Sequence, residues 1–170
     1  MSKPKVMVAL RDKTSVEGLT NLACQLAGGM GAELIALHII QIPLATPLDA
    51  KDEVIDQEGK EILAQAARVA TGKALSGFST QLVRARNAGE TIIAEAREQA
   101  VDLLVLGHRH QHEVSEFLLG STMRHVAHRA PCKVIVQIPA PTLPETQTEY
   151  ARSSTLFAQA WADCPGGITL

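Results

Sequence analysis

Short apolar runs alternate with longer amphipathic stretches along most of this chain, and this alternation constrains the fold more than any other feature. The runs KVMVAL, ELIALHII, DLLVLG and CKVIVQI are short and mostly apolar, which is typical of strands that a parallel sheet buries on both faces. The stretches between them repeat apolar residues at helical spacing. The pattern predicts an α/β fold: an open, doubly wound, five-stranded parallel sheet with helices on both faces and strand order 3-2-1-4-5.

The predicted elements follow one another without an internal repeat. Strands are predicted at Lys5–Leu10, Glu33–Ile40, Thr80–Arg86, Asp102–Gly107 and Cys132–Ile138. The third strand is the most polar, so we expect it at an edge of the sheet. Helices are predicted at Val16–Met30, about Ala50–Leu75, Glu90–Ala100 and Phe117–Arg129. Thr14 and Glu17 form a candidate capping box for the first helix, and Gly28, Gly29 and Gly31 are candidates for the left-handed residue that closes it.

Charge and composition argue against several classes of partner. The 170 residues include 16 Lys and Arg against 18 Asp and Glu, a formal charge of −2. Proteins that neutralise nucleic-acid backbones are usually basic, and an aromatic content of 3% offers little surface for base stacking. No apolar run approaches the roughly 18 residues that a membrane-spanning helix needs. We therefore expect neither a nucleic-acid nor a membrane partner.

Cysteine usage indicates the compartment. Cys24, Cys132 and Cys164 are odd in number and far apart, which fits neither a disulfide framework nor a zinc knuckle. The first apolar run, Val6–Leu10, is too short for the core of a signal peptide. These features predict a cytoplasmic protein.

The composition changes near residue 140. Residues 1–139 are predicted to form one domain, and residues 140–170 a tail rich in proline and threonine with a short aromatic segment. Tyr150, Phe157 and Trp161 are three of the five aromatic residues of the chain. Two interpretations remain open: a frayed tail with one helical turn, or a segment that docks its aromatic side chains on this protomer or a neighbour.

The stretch GHRHQHEVSEFLLGST follows the fourth predicted strand, at the edge of the sheet where doubly wound folds bind ligands. Gly107 ends the strand and lets a ligand approach the backbone. Gly120, Ser121 and Thr122 offer backbone N–H groups and hydroxyls near a helix N-terminus, which attracts phosphate. Arg109 and the histidines add positive charge. The alternative is that Gly107 only makes a turn and Ser121 only caps a helix.

The histidines of this stretch allow a second interpretation. His108, His110 and His112 would share one face of an extended loop, and Glu113 adds a carboxylate, a set that could bind zinc, copper or nickel. Nothing else completes a ligand set at convincing spacing, so we predict solvated loop histidines and no metal. His38, inside the second strand, is expected to be a core histidine with a satisfied hydrogen bond.

No catalytic constellation is present in the sequence. The chain has no GxSxG elbow, no GxxxxGK[ST] loop and no cysteine with an obvious base nearby. An enzyme, such as a slow ATPase or a metal-dependent hydrolase, is therefore the least favoured class of function.

Three segments together resemble the universal stress protein family: ALHII in the second strand, GETIIAEAREQAVDLLVLG and LLGSTMRHVAHRAPCKVIV. The likeness extends over about Pro4–Ile138. Nucleotide-binding members carry G-x2-G-x9-G-[ST], a loop that wraps the phosphates and ribose of ATP. This chain has Gly107-x2-His110-x9-Gly120-Ser121, with the spacing kept and the second glycine replaced by histidine.

The resemblance also implies contacts at the other strand ends. The family commonly has an aspartate facing the nucleoside after the first strand, where this chain has Arg11 followed by Asp12, and its adenine-flanking position falls on Ile39. The resemblance thus implies ATP or AMP, with Mg²⁺ if ATP, and a homodimer paired through residues 133–138. The implied site comprises Leu10, Arg11, Asp12, Ile39, Gly107, Arg109, His110, Gly120, Ser121 and Thr122. The close alternative is an interaction module of the same fold that has lost nucleotide binding, indicated by His110 and Arg11.

Overall fold

The computed structural model describes residues 3–50, 52–108 and 120–138. Within them, strands and helices alternate from the first element to the last. The elements are β1 Lys5–Leu10, α1 Val16–Met30, β2 Glu33–Gln41, α2 Glu53–Ala70, β3 Gly77–Ala85, α3 Ala88–Glu98, β4 Leu103–Gly107, α4 Ser121–Arg129 and β5 Lys133–Gln137.

The strands form one parallel sheet in the order β3-β2-β1-β4-β5, so the predicted fold class and strand order are confirmed. β1 is central: Val8 pairs with Ala36 of β2 on one side and with Val105 of β4 on the other. From β1 the chain first builds β2 and β3 on one side, and then crosses to β4 on the other. The strand order therefore reverses between β1 and β4, where folds of this class leave a crevice.

The two faces of the sheet bury alternate residues of the same strands, as the period of a strand requires. Val6, Val8 and Leu10 pack with the buried residues of α1 and α2. Met7 packs with the buried residues of α3 and α4 on the opposite face. Because β1 is covered on both faces, its run of apolar residues has no polar alternation.

The ends of two helices differ from the prediction. The capping box at Thr14 is wrong: the Thr14 hydroxyl donates to Asp12 Oδ1 at 2.6 Å, and α1 begins only after Ser15. α2 is shorter than predicted, because the carboxylate of Asp52 caps it by accepting from Val54 N and Ile55 N. The helix then ends at Ala70.

Other boundaries also moved. β3 begins at Gly77, three residues before the predicted start at Thr80. α4 begins at Ser121, because the backbone of Gly120 is extended (φ −53°, ψ 157°), and the predicted helical residues 117–119 lie outside the described ranges. Gly31 closes α1 with a left-handed backbone (φ 61°), one of the three predicted candidates. The polar third strand lies at an edge of the sheet, as predicted.

No helix within the described ranges combines the length and the apolar character that crossing a membrane requires. The boundary near residue 140 remains a prediction. The tail residues Tyr150, Phe157 and Trp161 lie outside the described part of the chain.

Candidate functional site

The candidate site lies where β1 and β4 end side by side. The two strands are paired up to Ala9 and Leu106, so Leu10 and Gly107 lie next to each other at the carboxyl edge of the sheet. Neighbouring strands are about 4.8 Å apart. The structure thus brings together the first and fourth strand ends that the sequence predicted to form the site.

A buried histidine fixes the end of β1. The Nδ1 atom of His38 lies 2.9 Å from the carbonyl oxygen of Leu10, and because a carbonyl only accepts, Nδ1 carries the proton and donates. His38 is buried on the α2 side of the sheet, where its Cδ2 would lie 3.1 Å from a Cβ at Gly59. The prediction of a satisfied core histidine is confirmed. The side chain of Leu10 belongs to the core, so this residue can offer a ligand only its backbone.

Asp12 organises the loop between β1 and α1. Its Oδ1 accepts from the Thr14 hydroxyl at 2.6 Å, the Ser15 hydroxyl at 3.1 Å and the Ser15 backbone N–H at 3.2 Å. A carboxylate at this position also complements the positive end of the α1 dipole. Arg11, which directly follows β1, is exposed. The carboxylate therefore serves its own loop, while the cationic side chain beside it reaches solvent.

The next residue of the same loop is held by α2. Lys13 Nζ lies 2.6 Å from Glu61 Oε2, and both side chains are about half exposed. The hydrogen bond from Lys13 lowers the pKa of the Glu61 carboxyl, and the same bond raises the pKa of Lys13. This ion pair attaches the loop to α2, while the hydrogen bonds of Asp12 hold the loop internally.

Ile39 lies on the α3 and α4 face of the sheet and is half-buried. Ala9 and Val83 are half-buried on the same face, and Val83 is the pairing partner of Ile39 on β3. Ala9 and Val83 are not among the predicted site residues, although positions 9, 39 and 83 are all odd-numbered strand positions, a parity that points to one face of the sheet. The three form an apolar surface suited to a planar ring.

Packing explains the presence of glycine at only one of the two glycine positions of the site. A Cβ at Gly107 would lie 3.3 Å from Leu19 Cδ2, so α1 packs closely over this strand end and favours glycine there. A Cβ at Gly120 would meet no described atom within 4 Å, and its backbone is one that any residue adopts. Packing within the described residues thus accounts for Gly107 but not for Gly120.

The N-terminus of α4 lacks a side-chain cap. Gly120 occupies the cap position, the first turn carries no acidic residue, and Ser121 and Thr122 are exposed. In contrast, Asp52 caps α2 and Asn87 caps α3, each through two backbone N–H groups. The first turn of α4 therefore presents N–H groups and a positive dipole end without a neutralising side chain among the described residues.

The connection after β4 is only partly described. The backbone N–H of His108 donates to the carbonyl of Gln137 at 2.8 Å, which extends the pairing with β5. Arg109 and His110 lie outside the described residues, as do His112 and Glu113, so the predicted roles of this loop stay predictions. Across the described ranges, no three His, Cys, Asp or Glu side chains are grouped to hold a metal ion.

Comparison with known proteins gives a consistent result. The model of the universal stress protein family matches residues 4–137. Universal stress protein A homolog 2 of Coxiella burnetii is 26% identical over 140 residues, covering 77% of this chain and 92% of the relative.

Solved structures share the fold. The universal stress protein of Archaeoglobus fulgidus in complex with dAMP is 20% identical, with a TM-score of 0.61 over 79% of this chain and 97% of that protein. A universal stress protein family protein of Arabidopsis thaliana with AMP bound is 19% identical, with a TM-score of 0.62 over 83% of this chain and 95% of that protein.

Proposed function

This chain belongs to the universal stress protein family, and on that premise we propose that it is a regulatory module that binds an adenine nucleotide, ATP or AMP. The observation that carries the proposal is the uncapped N-terminus of α4 at Gly120, on the helix that connects β4 to β5 next to the reversal of the strand order in sequence. Free N–H groups and the helix dipole at such an end are suited to phosphate. The AMP and dAMP complexes of structures with the same fold support this ligand class.

Each part of the nucleotide has a matching surface. We assign the adenine ring to the apolar surface at Ile39, next to the backbone of Leu10. The phosphates are assigned to Gly120, Ser121 and Thr122, with charge from Arg11, Arg109 and His110. ATP would bring Mg²⁺, which screens its phosphates. Asp12 and Gly107 contribute through the shape of their loops, since one organises the turn after β1 and the other admits Leu19.

The test is a direct measurement of binding. Mass spectrometry of denatured purified protein should detect released ATP, ADP or AMP, and calorimetry should detect binding of ATP with Mg²⁺ or of AMP. The absence of both signals, with ligand from micromolar to millimolar concentration, would refute the proposal.

His110→Gly restores the family's second glycine and separates two roles of the imidazole ring. Tighter ATP binding by the variant means that the ring obstructs the phosphates, and weaker binding means that it contacts them.

A second candidate function is an interaction module of the same fold that does not bind nucleotide. It is favoured by the carboxylate of Asp12, which accepts hydrogen bonds from its own loop, and by Arg11 at the position where the family commonly has an aspartate. If this candidate is right, mass spectrometry of the denatured protein should detect no released nucleotide. A hydrolase ranks third, because the sequence offers no general base or metal-ligand set.

We further propose a cytoplasmic homodimer that pairs through residues 133–138. β5 is the last strand of the described sheet, and Ile138 after it is exposed. A second copy could extend the sheet across this edge. Val136→Pro removes a backbone donor from the strand, so sedimentation should show a shift from dimer to monomer. An unchanged mass would refute pairing through β5.

A further inference from the structure

Four large apolar side chains are exposed within twelve consecutive residues, between the end of β2 and the first turn of α2. The exposed fraction is 89% for Leu44, 45% for Leu48, 77% for Val54 and 40% for Ile55. Single exposed apolar residues are ordinary, but a contiguous group of them marks an interaction site. We call the exposed surface of residues 44–50 and 52–55 the β2–α2 patch.

The backbone of the patch is held in place from both ends. The N–H of Thr46 donates to the carbonyl of Pro43, and the N–H of Ala50 to that of Pro47, which forms two successive turns. The guanidinium of Arg86, beyond β3, donates to the carbonyl of Pro43 at the start of the loop. Asp52 caps α2 at the other end. The leucines are therefore presented on an organised loop.

Val54 does not belong to the packing face of α2. The helix buries Gly59, Ile62, Leu63, Ala66 and Ala70, a stripe at helical spacing that faces the sheet. Val54 lies away from this stripe, whereas Ile55, four residues before Gly59, continues it into the exposed first turn. The core thus gives no reason for a valine at position 54, where most surface helices carry a polar residue.

The exposed charges of the patch are mainly acidic. Asp49, Asp52 and Glu53 are exposed, whereas Arg84 lies 3.1 Å from Asp56 and Arg86 donates to the carbonyl of Pro43. Lys51, outside the described residues, is the only basic residue at positions 44–55 of the sequence. The acidic side chains exceed the partial positive charge of about half a unit at the N-terminus of α2.

We propose that the β2–α2 patch binds an amphipathic helix of another protein, with leucine-type side chains on one face and lysine or arginine along its border. The apolar side chains supply contact area, and the acidic border selects a basic partner. A second copy of this chain would bring two acidic borders together, and an anionic membrane surface would be repelled. The proposal does not depend on nucleotide binding.

The test uses a labelled synthetic helix of leucine and lysine as a probe of this chemistry. Titration of the full chain, followed by NMR of the backbone amides, should shift the resonances of residues 44–55, with affinity falling as salt increases. The double variant Leu44→Ser, Val54→Ser should weaken binding by ~10-fold or more. Asp49→Asn with Glu53→Gln should weaken it by a smaller factor and reduce its dependence on salt.

Two controls keep the outcome specific. Met30→Ser, at an exposed apolar residue on α1 outside the patch, should leave binding unchanged. An acidic peptide with the same apolar face should not bind. Shifts absent up to millimolar peptide, or equal in the patch double variant and the wild type, would overturn the proposal. It would also be overturned if that double variant abolished self-association or binding to anionic phosphatidylglycerol vesicles instead.

Discussion

Helices α1 and α4 come after β1 and β4, the two strands between which the strand order reverses, but their N-termini differ in the charge beside them. α1 is preceded by Asp12, whose carboxylate accepts from the backbone and the hydroxyl of Ser15. α4 is preceded by Gly120, which has no side chain to offer. Neither helix has a side-chain cap on its first-turn N–H groups, but the carboxylate of Asp12 complements the positive end of α1, whereas the end of α4 would be complemented by an anionic ligand.

Two of the other three described helices, α2 and α3, have side-chain caps at their N-termini. Asp52 and Asn87 each accept from two N–H groups at the start of α2 and α3. A good cap contributes about 1 kcal/mol. The glycine at α4 therefore forgoes a modest stabilisation that the chain obtains elsewhere, which is the expected pattern where a helix end serves binding.

Gly120→Asp should have the largest effect on the comparison, since it gives α4 an N-terminal carboxylate, as α1 has in Asp12 and α2 in its cap Asp52. The substituted carboxylate would occupy the phosphate position with like charge, so nucleotide affinity should fall ~100-fold, about 2.7 kcal/mol. Stability should rise by a few tenths of a kcal/mol, because aspartate is a better cap than glycine. Calorimetry and denaturant unfolding measure the two quantities separately.

Gly120→Asn is the matched control, because it supplies a cap without charge. It should keep the gain in stability and lose less affinity than the aspartate variant. If the aspartate variant bound nucleotide as well as the wild type does, the assignment of the phosphates to α4 would be wrong.

His38→Leu should have the next largest effect. It should lower the free energy of unfolding rather than nucleotide affinity. It leaves the carbonyl of Leu10 without its buried donor, which costs about 1–3 kcal/mol. Asparagine can place its amide nitrogen near the position of Nδ1, so His38→Asn should recover part of the loss. Urea unfolding of the two variants provides the test, and equal destabilisation would show that ring packing against Gly59, not the hydrogen bond, is what matters.

Asp12→Ala should lower the free energy of unfolding by about 1 kcal/mol, since the turn before α1 loses the acceptor of the Ser15 N–H and of two hydroxyls. Nucleotide affinity should change little, because this carboxylate is directed to its own loop. That outcome is the reverse of the one expected at Gly120. Asp12→Asn should retain most of the stability. A tenfold loss of affinity at unchanged stability would instead assign Asp12 to the ligand, as the family resemblance implies.

The sequence was sufficient for the order of the sheet but not for the helix ends at the site. Buried parallel strands must be apolar on both faces, so β1 and β4 are visible as continuous runs, and the right-handed crossover limits the topology. The capping of α1 was mispredicted because Asp12, Thr14 and Ser15 are all competent acceptors whose free energies differ little. The role of Gly107 depends on Leu19, a contact distant in sequence that no local pattern encodes.

The smallest expected effect is at the ion pair that attaches the α1 loop to α2. Glu61→Gln and Lys13→Met should each cost less than Asp12→Ala, because both side chains are half exposed and screened by solvent. The double variant completes a cycle whose coupling free energy isolates the contribution of the ion pair.

This coupling should depend on pH. The pKa of Glu61 is lowered by Lys13, so the stabilisation by the ion pair is present above the ordinary range of a glutamate, about pH 4, and is lost as the pH falls through the lowered value. Urea unfolding from neutral to acidic pH should therefore show the coupling shrink towards zero at the acidic end, and a coupling that grew on acidification would contradict the assigned pairing.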